Sequence, residues 1–289
     1  MNRKIERIIK PPPIHWVGNG FRVHGILPSQ VRGVQRMSPF FLLDYNSPFD
    51  FPPSKEMQGV GSHPHRGFET VTIAYKGKVE HHDSNGGGGI IGEGDVQWMT
   101  AGSGILHKEF HETAFNEAGG EFQMVQLWVN LPAREKMTDP NYQAITNGEM
   151  GRYELSNGNG EVEIIAGEFE GVKGPATTFT PINLFNLKPK KDAEFEFELP
   201  ENHSASVLVI DGKAQFNESE SVPQNDFVLF ENEGERIKVR AEEDSVLLVM
   251  SGEPLNEPVA SYGPFLMNTQ EEIRRAIMDF QSGKFGYLD

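Results

Sequence analysis

Six of the nine histidines in this 289-residue chain, His63, His65, His81, His82, His107 and His111, fall between residues 61 and 111. Histidines spread evenly would put only one or two there, so the clustering calls for chemistry rather than packing. Side chains alternate faces along a β-strand, which sends His63 and His65 to one side, and His107, Glu109 and His111 to one side of a second strand. Glu69 shares the parity of the first pair if that strand runs unbroken through Arg66 and Gly67. Enough turn residues lie between the two groups for their strands to meet across a small barrel. Neutral imidazoles with one carboxylate suit a borderline divalent ion such as Fe(II), Ni(II), Cu(II), Mn(II) or Zn(II). His15, His24 and His203 stand alone and read as ordinary solvated or hydrogen-bonded histidines. The chain has no cysteine. Thiolate zinc sites, iron–sulfur clusters, disulfides and cysteine nucleophiles are therefore excluded together.

The rest of the chain alternates short strands with turns. Residues 3–9 and 20–27 read as strands leading into a first domain, and Phe40-Phe41-Leu42-Leu43 as a buried strand. Phe68 to Tyr75 alternates, is rich in β-branched residues, and turns at Lys76-Gly77 into a hairpin. Gly86 to Gly89 lacks the following helix and lysine of a phosphate-cradling loop and reads as a mobile loop tip. Gln123 to Leu131 is a further strand, and residues 133–151 look like a crossover between domains. A second run of short strands then extends from Val162 to Ser251, with His203 as its only histidine, so no metal is expected there. The chain closes on the capping box Thr269-Gln270-Glu271-Glu272, with Ile273, Ile277 and Phe280 on one helical stripe and Gly283 as a stop. The fold class is thus all-β, two barrels and a short C-terminal helix, divided into residues 1–135 and 136–289.

Charge and hydropathy narrow the partners. The formal net charge of −16 argues against direct nucleic-acid binding, which needs a concentrated basic surface. No run of 18 apolar residues exists to span a membrane. The charged start ending in Pro11-Pro12-Pro13 has no apolar region of the kind a secretory signal carries. A cytoplasmic protein is expected, or a nuclear one in a eukaryote. Residues 1–36 carry seven Lys or Arg against one acid, Glu6, and read as a solvated strand edge.

The His-x-His pair and the later glycine–strand–glycine–His unit resemble the two metal motifs of the cupin superfamily, whose fold is a small double-sheet β-barrel. The segments His63-Pro64-His65-Arg66-Gly67-Phe68-Glu69-Thr70-Val71, Gly94 to Gly102, and Leu131-Pro132-Ala133 with Lys136-Met137 are similar to the pirin family. Gly252 to Pro258 and Gly263-Pro264-Phe265 extend the likeness over nearly the whole chain. The resemblance implies one metal in the N-terminal cupin, held by His63, His65, His107 and Glu109. It implies Fe(II) first, with Ni, Cu, Mn, Co or Zn as the other ions such a set accepts. Two positions depart from the family pattern: Phe110 stands where methionine is common, and the Gly86–Gly89 run replaces a more mixed loop. Glu69 occupies the position that general cupins use as a ligand. Spacing leaves it in competition with Glu109, and the pirin pattern favours Glu109.

The activity implied is a quercetin 2,3-dioxygenase-like cleavage of flavonols by O2, with carbon monoxide released. Glu109 is the candidate general base and Glu69 the reserve. The alternative is a metal-dependent regulator that binds protein partners, of the transcription-coregulator type, without turnover. A cupin sugar-phosphate isomerase is the weakest reading, because the ligand segments offer little basic charge beyond Arg66 and Lys108.

Overall fold

Phe68–Lys76 is buried along nearly all its length because it lies inside a sheet and not at an edge. The computed structural model describes residues 1–289. In it this strand belongs to a seven-stranded antiparallel sheet, ordered Asn141–Ile145, Val96–Thr100, Phe68–Lys76, Gly120–Asn130, Phe40–Phe51, Phe21–Leu27 and Ile14–Val17. A four-stranded sheet of Gly59–His65, Ile105–His111, Val79–Asp83 and Gly88–Ile91 completes the first barrel. Two expectations change here. Asn141–Ile145 is not a crossover but an edge strand, paired from Asn141↔Thr100 to Ile145↔Val96. Gly88 and Gly89 are not a loop tip but pair with His82 and His81. Glycine is needed in that run for close approach: a Cβ on Gly87 would lie 2.4 Å from Asp83 Oδ2, and one on Gly88 2.5 Å from the His81 carbonyl oxygen.

The second barrel repeats the plan. Its seven-stranded sheet runs Ile5–Ile9, Phe227–Phe230, Ser204–Asp211, Val246–Gly252, Ile182–Pro189, Gly160–Ala166 and Gly151–Glu154. Glu194–Glu198, Arg236–Ala241, Lys213–Phe216 and Val222–Pro223 form the smaller sheet. Alternation along these strands sends Phe185, Phe197, Phe216, Phe230, Val207 and Val249 into one continuous core. His203 is buried at its margin, near Ser251 Oγ at 3.2 Å.

The chain splits into two compact units, but not at one point. One comprises Met1–Pro12, Arg36–Ser38 and Gly148–Pro254; the other Pro13–Gln35, Pro39–Asn147 and Leu255–Asp289. The single boundary expected at 135/136 is replaced by an exchange of ends. Ile5–Ile9 pairs with Phe227–Phe230, and the buried Arg3 guanidinium donates to the carbonyls of His203 at 2.8 Å and Pro200 at 2.7 Å. The N-terminal arm is thus part of the second barrel's sheet rather than a strand of the first domain. At the other end, the helix Gln270–Gln281 begins with Thr269 and Glu272 capping each other's backbone. It packs Ile273 and Ala276 against Phe265 and Phe285, all within the unit that holds Pro39–Asn147.

Candidate metal centre

The strands bearing the two histidine groups are neighbours. His107 pairs directly with His63, and Ile105 with His65, before a bulge between His107 and Glu109. The structure therefore brings the imidazoles of His63, His65 and His107 together, with ring centroids 4.2–4.8 Å apart. On the other side of the His107 strand, Glu109 pairs with His81 and His107 with Asp83. His81, His107 and Glu109 form a second ligand-type group that shares His107 with the first.

Two imidazoles of the first group have a backbone carbonyl facing Nδ1. His63 Nδ1 lies 2.8 Å from the Gly61 carbonyl oxygen and His65 Nδ1 3.4 Å from that of Pro264. Donating there, each ring leaves Nε2 as a free lone pair. His107 Nδ1 lies 3.4 Å from His81 Nδ1, and its Nε2 is buried with no protein partner. Burial first, and then the neighbouring imidazoles, holds His65 and His107 well below the ordinary histidine pKa. They are thus neutral and able to coordinate near neutral pH.

His81 lay within the histidine cluster, yet its role was not legible from spacing. Fully buried, it stacks on Tyr142 at 5.1 Å and faces Asp83 Oδ2 with Nε2 at 3.5 Å. The burial of Asp83 would raise its pKa, but the His81 contact and the amides of Gly87 and Asn85 hold it below the usual carboxylate value. Asp83, His81 and His107 thus lie in a line, with His81 between the carboxylate and the His107 ring. Gln97 and Thr72 were also missed. Gln97 Nε2 donates to Glu109 Oε1 at 2.5 Å and to Thr72 Oγ1 at 3.0 Å. Thr72 Oγ1 is 3.3 Å from Glu109 Oε1 and 2.7 Å from Gln126 Oε1.

Two of the expected acidic and imidazole groups lie elsewhere. Gly67, at φ +88, breaks the strand after His65. Beyond it Phe68 packs on His65 at 4.9 Å and Thr72 reaches Glu109, so even-numbered residues face the site. Glu69 therefore points to the opposite face of the sheet, where Thr100 Oγ1 donates to it at 2.7 Å. Burial pushes its carboxyl up to about 7. Its expected parity with His63 and His65, and with it the reserve-base role, does not survive the turn at Gly67. His111 is a core histidine: it stacks on Phe122 at 4.5 Å and meets the Gly20 carbonyl at 2.9 Å.

A cavity of about 410 Å³ opens on the site. His63, His65 and Glu109 lie at one end, and Phe21, Val23, Leu42, Met124 and Trp128 supply apolar walls. Trp128 stacks on Phe68 at 4.1 Å and meets the His65 ring edge-on at 5.2 Å.

Comparison with known proteins follows the same layout. The pirin domain profile matches residues 20–129 and the pirin C-terminal cupin domain profile residues 184–286. The chain belongs to the pirin family. Pirin-like protein 2 of Arabidopsis thaliana is 38% identical over 269 residues, covering 89% of this chain and 79% of that protein. The crystal structure of quercetin 2,3-dioxygenase from Acinetobacter baumannii is 48% identical, with a TM-score of 0.94 and 100% of each chain covered. Bacterial pirin YhhW from Escherichia coli, solved in complex with nickel(II), covers 86% of this chain at 18% identity and a TM-score of 0.65, a likeness of fold alone. Both barrels of this pirin are cupins, and the His63–Glu109 cluster falls inside the first matched region.

Proposed function

We propose that this pirin is a metal-dependent dioxygenase that cleaves flavonols such as quercetin, with one divalent transition metal, Fe(II) in the first instance, held by His63, His65, His107 and Glu109. The observation that carries the reading is the cluster of His63, His65 and His107 beside a largely apolar cavity whose lining includes His63, His65 and Glu109. The donors fit a metal: the buried Nε2 of His107 has no protein partner, and the tautomers of His63 and His65 are fixed by backbone carbonyls. The dioxygenase name borne by the Acinetobacter baumannii homologue supplies the reaction class. When bound, such an ion supplies Lewis acidity toward a chelating hydroxyl and redox capacity toward O2.

The chain's own residues do the remaining work. The walls formed by Phe21, Leu42 and Trp128 take a flat ring and exclude water from its faces. Glu109 lies within the cavity lining, and its Oε1 is held by Gln97 and Thr72, which limits its rotation. It is the carboxylate positioned to receive the proton of a ring hydroxyl. His81 and Asp83 keep the His107 ring oriented.

The test is oxygen uptake with product analysis, using metal-loaded protein and quercetin. The expected result is one O2 consumed and one carbon monoxide released per quercetin. No oxygen consumption with any flavonol across several divalent metals would overturn the dioxygenase reading and leave metal-dependent protein binding as the better account.

A further inference from the structure

The cavity has a second polar end. A row of directly paired residues crosses four adjacent strands of the large sheet: Asp44 opposite Gln126, Gln126 opposite Thr72, and Thr72 opposite Gln97. At the Thr72 end the row is tied to Glu109. At the other end Asp44 lies across two strand spacings, roughly 10 Å from Thr72. Asn46, two residues further along the same face, also lines the cavity. It is 2% exposed, and neither its Oδ1 nor its Nδ2 has a hydrogen-bond partner. An unpaired buried amide is costly and is rarely retained without a use. Met124 is the partner of Asn46 across the strands, and Phe21 and Val23 are among the other residues of the cavity lining.

We infer that Asn46 and Asp44 form a recognition subsite for a hydroxyl group carried by the end of the ligand remote from the metal. An amide offers a donor and an acceptor together, which is the complement of a hydroxyl. Asp44 adds a second acceptor, and burial pushes its carboxyl up to about 6, so a proton can be shared there near neutral pH. The cavity thus selects a flat aromatic molecule that chelates at one end and is hydroxylated at the other. This deepens the flavonol reading and rests on it for the identity of the ring system. The subsite itself rests on the cavity and the unpaired amide.

Two flavonols separate the claims. Quercetin carries hydroxyls distant from its 3-hydroxy-4-keto chelate, whereas 3-hydroxyflavone has the same chelate and no others. Each is titrated into metal-loaded protein under anaerobic conditions, with binding read from the absorbance shift. Wild type is expected to bind quercetin about tenfold or more tightly than 3-hydroxyflavone. Asn46→Leu should close that gap by weakening quercetin about tenfold or more while 3-hydroxyflavone stays within about threefold. Asp44→Ala, a second variant at the same end, should narrow the gap in the same direction. Because Leu removes an unpaired amide, the ligand-free Asn46→Leu protein should melt no lower than wild type. Unchanged quercetin binding, equal losses for both flavonols, or a lower melting temperature would each overturn the subsite. Should neither flavonol bind wild type, the flavonol reading fails. The melting temperature of Asn46→Leu then decides the role of Asn46: at or above wild type sustains a ligand-facing amide, and below it assigns a structural one.

Discussion

The barrel containing Gly148–Pro254 is filled with side chains. Phe185, Phe197, Phe216 and Phe230 meet at its centre with aliphatic residues from both sheets, as in a small barrel whose interior is filled by side chains. The barrel containing Pro39–Asn147 has the same two-sheet plan, but much of its interior is given to imidazoles, Glu109 and an open cavity. Its apolar core is split, with one cluster around Phe21, Phe51 and Phe122. Alternating strands build either interior equally well, and the difference lies in which residues occupy the inward positions. A packed interior gains stability from every ring, whereas a hollow one forgoes part of that gain and carries buried polar groups.

Perturbations of the two interiors should therefore differ in kind. His65→Ala should remove essentially all metal from the protein while leaving its β content intact. Removing His203, the only histidine of the other unit, should leave metal content unchanged. Glu109→Gln, compared with wild type at matched metal content, should lower flavonol turnover by roughly two to four orders of magnitude if Glu109 is the general base. His81→Gln should weaken metal binding by about 10–100-fold, measured by competition with a chelator, because His107 loses the group that orients it. On the packed side, Phe230→Ala should cost about 3–5 kcal/mol in denaturant unfolding. Leu42→Ala, at a half-buried position on the cavity wall, should cost about 1 kcal/mol, because the space it leaves joins an existing opening.

The effect at Glu69 is confined to a defined pH window. Its folded pKa, pushed up to about 7, lies above the ordinary value of 4.5. Between those values the native state binds a proton that the unfolded chain has released. The associated stability is fully present below about pH 4.5 and is lost as pH rises through 7. Glu69→Gln keeps an acceptor for Thr100 and removes the ionisation. It should stabilise the fold by about 1–3 kcal/mol at pH 8 and by nothing measurable at pH 4.5. Metal content should not change, since the side chain faces away from the cluster. Loss of metal in this variant would return Glu69 to the site.

The parts legible in the sequence were those that depend on local periodicity. His63 with His65, and His107 with Glu109, are each two residues apart on one strand, and alternation alone puts each pair on one face. Glu69 misled because its parity passed through Gly67, where a positive φ reverses which residues face inward. The line from Asp83 through His81 to His107, and the hold of Gln97 and Thr72 on Glu109, depend on strand register. Register joins residues distant in sequence and leaves no periodic trace. The exchange of chain ends was illegible for the same reason: nothing in Ile5–Ile9 specifies Phe227–Phe230 as its partner. The Gly86–Gly89 run read as loop because glycine signals freedom, whereas close approach to Asp83 and to the His81 carbonyl uses the absence of a side chain instead.

The central claim, that one barrel chelates and the other only packs, is tested most directly by anomalous diffraction from crystals of the metal-loaded protein, collected at the absorption edge of the bound ion. The account predicts a single peak per chain, within coordination distance of Nε2 of His63, His65 and His107 and of a Glu109 carboxylate oxygen. A peak inside residues 148–254, or one coordinated by His81 without His63 and His65, would contradict it.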